Sequence, residues 1–232
     1  METIRIKRLR LMNVPVDAIE QELVLKMIER FLLDGEKHQI VFLNRPKLFK
    51  ARRNVEYKRC LRDASLILPV SREIVRGVRF LSKGNLTRFE PFTFIVRLLA
   101  IVEKLNRTVY LLGSRKEDLE KTERNLKGSF PGLRIVGRFS GYFSKDLEKN
   151  VLLAIKKASP SVLMVGNGLS ARDLWILRHK ADLNPGIYLW VGDCFELFSG
   201  KKKASGKGFN PALIFPTLYF WTLLIIYKIF KR

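Results

Sequence analysis

The stretch "TVYLLGSRKEDLEKTERNLKG", residues 108–128, changes its pattern halfway along. Its first five residues are apolar or β-branched, the composition of a buried strand. Gly113 breaks the run, and Ser114-Arg115-Lys116-Glu117 then has the spacing of a capping box, in which serine and glutamate satisfy the free N–H groups of a starting helix. Strand, short polar turn and helix make the unit from which parallel sheets are built.

The unit recurs along the chain. Apolar runs of strand length and composition lie at 39–43, 66–68, 108–112, 133–136, 162–165 and 187–191, most of them followed by helical spacing. Near the start, Asp17 is expected to cap a helix through Ile19, Leu23, Met27, Ile28 and Phe31 that ends near Gly35. The expected fold is α/β, with a Rossmann-like, largely parallel sheet and helices on both faces.

Such sheets bind ligands beyond the carboxyl ends of their strands, so the residues just after each run carry the functional information. Those are Asn44-Arg45-Pro46, Pro69-Val70-Ser71-Arg72, Gly113-Ser114-Arg115, Gly137-Arg138, Gly166-Asn167-Gly168 and Gly192-Asp193. Glycine permits close backbone approach, and helix starts present N–H groups to phosphate. Arginines stand beside them. Any one of these turns is also an ordinary tight turn; together they point to an anionic, nucleotide-like ligand.

Composition bounds the partners. The 232 residues are 47% hydrophobic, enough for one substantial core, and 44 Lys and Arg against 22 Asp and Glu give a formal charge of +22. That charge favours nucleic acid, anionic lipid or a phosphorylated substrate. The basic residues are dispersed over helices rather than gathered with aromatics, so no nucleic-acid partner is expected. Cys60 and Cys194 lack C-x-x-C spacing and read as buried thiols. His38 and His179 lack helical metal-ligand spacing, so no metal and no cofactor are expected.

The two ends differ. The N-terminus has no continuous apolar core of signal-peptide length, so the body of the protein is expected to stay in the cytoplasm. At the other end, 209–227 is uncharged, flanked by Lys201, Lys202, Lys203 and Lys207 before it and Lys228, Lys231 and Arg232 after it. As a helix it would be about 28 Å long, near the hydrocarbon thickness of a bilayer. Pro211 and Pro216 argue against a regular span, and Pro216 is expected to kink the helix and leave 217–227 as its regular part. Spanning, lying in the interface with Tyr219, Trp221 and Tyr227 at headgroup level, or packing inside an oligomer all remain open. The division expected is 1–205 as the α/β domain and 206–232 as a membrane-associated appendage.

The same residues carry a resemblance. "MNVPVDAI" (12–19), "LNRPKL" (43–48), "DASLILP" (63–69), "VYLLGS" (109–114), "FPGLRIVGRFSGYF" (130–143), "VGNGLSARDLWILRH" (165–179) and "VGDCFELFSGKKKAS" (191–205) occur in the order and spacing of the WecG/TagA/CpsF family. The similarity covers residues 8–205. It implies an inverting glycosyltransferase of cell-surface polysaccharide synthesis that moves an N-acetylhexosamine-type sugar from a UDP donor to a polyprenyl-diphosphate-linked acceptor. The implied place is the cytoplasmic face of the bacterial inner membrane, with anionic lipid and possible homo-oligomer or envelope-protein partners.

Expected donor-site residues are Asn44, Ser71, Arg72, Gly113, Ser114, Gly166, Asn167, Gly168, Arg172 and Asp173, with Arg88 expected in the same crevice as a catalytic residue. Lys201, Lys202, Lys203, Lys207, Trp221 and Lys228 would face lipid diphosphate and membrane. Departures stand beside the matches. The family's L-P-D-G aspartate, its proposed base, aligns with Val70, and its T-x-N begins here with Phe42. R-V-x-G ends in Pro91, and Asp193 stands where the family has a second glycine. If Ser71 caps the following helix, Glu73 falls in its first turn and is the candidate substitute base, although a first-turn glutamate also simply suits the helix dipole. Asp63 and Glu90 are secondary candidates. A transferase with altered chemistry and a degenerate relative serving as a membrane scaffold or regulator both remain open.

Overall fold

The computed structural model describes residues 6–203 and 214–230. The chain opens on a feature absent from the sequence reading, an antiparallel hairpin of β1 (Lys7–Leu11) and β2 (Val14–Ala18). Met12 and Asn13 both take positive φ, 48° and 63°, the conformation of a two-residue hairpin loop. Lys7 and Arg10 are exposed and Arg8 reaches Asp17, so in β1 charged residues alternate with Leu9 and Leu11. Val14 and Val16 are buried on the opposite strand.

Asp17 belongs to β2 and caps no helix, which corrects the expectation. Its buried carboxylate accepts two bonds from Arg8, at 2.7 and 3.0 Å, and one from the Ile67 amide at 2.7 Å. The bond to Ile67 ties the hairpin to the main sheet. Asp17→Ala should therefore cost about 1.5–3 kcal/mol, the range for hydrogen bonds to a charged group, because it strands a buried amide. Denaturant unfolding measures this; an unchanged midpoint would show the tether to be dispensable.

The main sheet holds β3 (Lys37–Leu43), β4 (Leu66–Pro69), β5 (Thr108–Leu112), β6 (Arg134–Phe139), β7 (Val162–Gly166) and β8 (Gly186–Gly192). Every pairing in it is parallel, and the spatial order is β4-β3-β8-β7-β5-β6. All six expected runs are strands. Alternate residues enter different cores: Ile40 and Phe42 face one side with α1 (Gln21–Phe31), α5 (Pro91–Lys104) and α6 (Lys116–Ser129). Val41 and Leu43 face the other, with the hairpin, α2 (Arg45–Arg53), α3 (Val55–Asp63) and α4 (Arg72–Ser82). The second face continues under α7 (Lys145–Ala158) and α8 (Asp173–His179). Burial on both faces explains why β3, β4, β5, β7 and β8 read as continuous apolar runs, whereas β6, at the sheet edge, is largely exposed.

Two further expectations change. Ser114 forms no capping box: the residue preceding α6 is Arg115, and the Ser114 hydroxyl donates to Glu196 instead. Helix α1 follows Glu20, with no side-chain cap.

The C-terminal run forms α10 (Ile214–Phe230), after the short α9 (Cys194–Phe198). Pro216 lies in its first turn, where a missing N–H costs no intrahelical bond, so the expected kink gives way to a continuous helix. Its 17 residues measure about 25 Å. Among the described residues no helix is long and apolar enough to cross a membrane. Lys207 and Pro211 lie outside the described residues.

Helix α10 packs on the α/β body. Phe220 and Leu224 are fully buried in the core shared by the hairpin and α4. Trp221 meets Phe80 edge to face, and the Lys228 ammonium sits 4.2 Å from the centre of the same ring. Arg45, at the start of α2, donates to Thr217 at 2.7 Å and joins the beginning of α10 to the carboxyl end of β3.

Candidate functional site

A crevice of about 310 Å³ opens beyond the carboxyl ends of β3, β4 and β8. Phe42 and Asn44 come from the end of β3, Lys47 from α2, Val70 from the end of β4, and Trp190, Gly192 and Asp193 from the end of β8. Glu90, Pro91 and Phe92 close the opposite wall at the start of α5. The segment leading to α5 is held beside β4 because the Phe89 amide donates to the Pro69 carbonyl at 2.8 Å.

Several side chains are positioned by local rules. Asn44 caps α2, accepting from the Lys47 amide at 3.0 Å, and Pro46 follows near the helix start, where proline is preformed. Glu90 caps α5 through Thr93 in the same way, again followed by proline.

Behind the crevice wall lies a buried polar group. Lys47 Nζ is 2.7 Å from Asp173, which also accepts the Tyr57 hydroxyl at 2.8 Å. Gln39 donates to the Asp173 carbonyl at 2.9 Å. Burial and the adjacent Asp173 push the Tyr57 phenol far up, so it stays a neutral donor. The Trp190 ring has both the Lys47 ammonium, 4.6 Å from its centre, and the Arg172 guanidinium, 5.2 Å away. Asp173, 1% exposed, thus reaches the crevice through Lys47 and Trp190. Neither Lys47 nor Trp190 was singled out from sequence. Lys47 did lie in "LNRPKL", three residues after the capping asparagine.

The glycine turns meet one strand pair over, where the connections leaving β5 and β7 run in opposite directions. A Cβ on Gly113, whose φ is +135°, would lie 2.6 Å from the Gly166 backbone; one on Gly166 would strike the Phe195 ring at 2.4 Å. Gly168, at φ +103°, packs against the Gly141 backbone. Close packing of two strand ends therefore accounts for these glycines. The loop is locked by the Ser114 amide on the Asn167 carbonyl at 2.5 Å and the Gly141 amide on the Ser114 carbonyl at 3.0 Å.

Glu196 joins the two turns from behind. Its Oε1 accepts from Ser114 at 2.8 Å and from Asn167 at 3.2 Å, and its buried Oε2 has no hydrogen-bond partner among the described residues. Asn167 also donates to Asp193 at 2.8 Å, and Lys202 pairs with the other Asp193 oxygen at 2.7 Å. Those two bonds hold the Asp193 carboxyl below its ordinary value against its partial burial. Lys201 is tied to Asp118 at 2.7 Å, and Lys203 is exposed.

The remaining candidates fall at different distances. Arg72 and Arg88 are exposed, on α4 and on the segment before α5, and neither is among the residues lining the crevice. Ser71 precedes α4 without capping it, and its hydroxyl is buried with no partner among the described residues. Glu73 faces Arg45 at 3.6 Å, outside the crevice lining. Asp63 pairs with Arg59 and Arg62 at the end of α3, before β4 begins and so at the opposite edge of the sheet. Burial, then Glu90, Asp193 and Glu196, push the Cys194 thiol up to about 12, which makes it a packing residue and not a nucleophile. His38 stacks on Phe31, while His179 packs against Trp175.

The model of the family described as "Glycosyl transferase WecG/TagA/CpsF family" matches residues 9–209. Among characterised proteins, the chain is 25% identical over 197 residues to an N-acetylglucosaminyldiphosphoundecaprenol N-acetyl-beta-D-mannosaminyltransferase of Bacillus spizizenii, covering 84% of this chain and 76% of that one. It is 21% identical over 194 residues to the protein of the same name from Bacillus subtilis, covering 82% and 74%.

Proposed function

As the chain belongs to the WecG/TagA/CpsF family of glycosyl transferases, we propose that it moves an N-acetylhexosamine-type sugar from UDP to a polyprenyl-diphosphate-linked acceptor at a membrane surface. The observation that carries this reading is the crevice at the carboxyl ends of β3, β4 and β8, with Lys47 in its lining. Lys47 and Arg172 stand at Trp190, and the exposed Arg72 and Arg88 are the further cations this reading assigns to the donor diphosphate.

The diphosphate leaves as an anion, so arginines and the free N–H groups opening α4 stabilise the bond-breaking step. The acceptor oxygen attacks the anomeric carbon opposite the departing diphosphate, which inverts that centre. Calorimetry of the full chain in detergent with UDP and UDP-N-acetylmannosamine, followed by a transfer assay on N-acetylglucosaminyl-diphospholipid, tests this. Saturable micromolar binding and product formation are expected. Absence of binding at millimolar nucleotide would favour the second reading, a non-catalytic membrane scaffold, for which the apolar Val70 and Phe42 in the crevice speak.

Helix α10 supports membrane contact. Its inner side is committed to the domain, whereas Leu218, Ile225, Ile226, Ile229 and Phe230 are exposed, Phe230 by 83%. An apolar strip of this kind suits a helix lying in the interface rather than crossing it. The Arg45–Thr217 bond keeps the start of that helix beside the crevice, which brings a lipid-borne acceptor to the donor site.

A further inference from the structure

Transfer of a sugar to a hydroxyl releases a proton, and a carboxylate within reach of that hydroxyl is the ordinary acceptor for it. Two carboxylates line the crevice, Glu90 and Asp193. Asp193 has both oxygens engaged, one by Lys202 and the other by Asn167. A carboxylate held low by two donors is a poor proton acceptor. Glu196 is buried behind the glycine turns and Glu73 faces Arg45.

Glu90 is placed differently. Its Oε2 accepts the Thr93 amide at 2.6 Å, and its Oε1 makes no hydrogen bond among the described residues. The backbone on either side is fixed by the Phe89–Pro69 bond before it and by Pro91 after it. Phe89 and Phe92 are anchored in turn, Phe89 edge to face on Phe94 and Phe92 against Phe198. One oxygen therefore holds the carboxylate in position while the other is left without a hydrogen bond among the described residues, on a residue that lines the crevice together with Val70, Phe42 and Phe92.

We propose that Glu90 is the general base of the transfer, an inference that rests on the glycosyl-transfer reading above. Glu90 Oε1 takes the proton of the acceptor hydroxyl as the hydroxyl oxygen bonds to the anomeric carbon. The bond from that carbon to the donor diphosphate breaks, and its electron pair leaves with UDP. The proton on Glu90 then returns to solvent, so the carboxylate is ready for the next turnover.

Glu90→Gln is the discriminating variant, because the amide oxygen still caps Thr93 while proton acceptance is lost. Native-like thermal unfolding and UDP binding are expected, with kcat reduced about 10²–10⁴-fold and the acidic limb of the kcat/KM profile abolished. Those changes together support the base; a residue that only shaped the crevice would leave the acidic limb in place. If the native chain transfers sugar and Glu90→Gln does so at the same rate with the same pH profile, the assignment is overturned. If the native chain binds UDP and forms no product under any condition, the transfer reading itself fails and takes the base with it.

Discussion

Asp173→Ala should destabilise the protein by about 3–5 kcal/mol, the cost of removing one partner from a buried ion pair. The carboxylate is 1% exposed and serves Lys47 and Tyr57 together. Without it the Lys47 ammonium keeps only its contact with the Trp190 ring and the buried Tyr57 hydroxyl loses its acceptor. Each kcal/mol should lower the melting temperature by about 2–4 °C in a chain of this size. The double replacement Lys47→Met, Asp173→Leu should recover much of the loss, since the penalty comes from the orphaned charge rather than from the missing attraction. A native-like melting curve for Asp173→Ala alone would show that water reaches Lys47. Function should change as well, because Lys47 and Trp190 lose the anchor that sets their place in the crevice.

Phe220→Ala is the second large effect, with about 3–5 kcal/mol expected for truncating a fully buried phenylalanine. The ring fits a notch made by Gly77, where an added Cβ would already lie 3.0 Å from it, and it also meets Phe49 edge to face. Leu224, one turn further on, shares the same core. Because α10 is attached to the body along one side, the loss should appear as release of this helix before global unfolding. Hydrogen exchange across 214–230 should quicken by about 10²-fold or more while the strands of the main sheet keep their protection, as expected for sub-global opening. Equal exchange in native and variant protein would refute the docking role. Binding to anionic vesicles distinguishes the two sides of the helix: Phe220→Ala should retain it, and replacing Ile226 and Ile229 by serine should weaken it.

Five of the strands were legible because parallel-sheet strands bury both faces, so their composition stands out over a few residues; β6, at the edge, is largely exposed. Crevice placement followed from the rule that ligands bind beyond the carboxyl ends of strands. Asn44 could be placed there as well, since capping is a local interaction. The hairpin was not legible: β1 alternates charged residues with Leu9 and Leu11, and Asp17 looks like a cap until its buried partners, Arg8 and Ile67, are seen. Ser114 misled for a similar reason. Its spacing to Glu117 fits a capping box, yet Glu196, remote in sequence, takes its hydroxyl.

Glu73 and Glu90 show where local reading ends. Both are glutamates at a helix start, and the sequence favoured Glu73 because it lies in the first turn after the expected strand 66–68, whereas Glu90 is far from any expected strand end. In the folded chain Glu73 turns to Arg45, while the Phe89–Pro69 bond carries Glu90 to the crevice wall.

By itself the sequence determined the βαβ order, the six strands of the main sheet, the basic character and the family, all of which rest on patterns spanning a few residues or on their succession. Only the tertiary structure decided the Lys47–Asp173–Tyr57 group, the docking of α10 and the carboxylates that line the crevice. Each of those depends on side chains far apart in the chain, whose meeting is set by how the layers pack and not by any local preference.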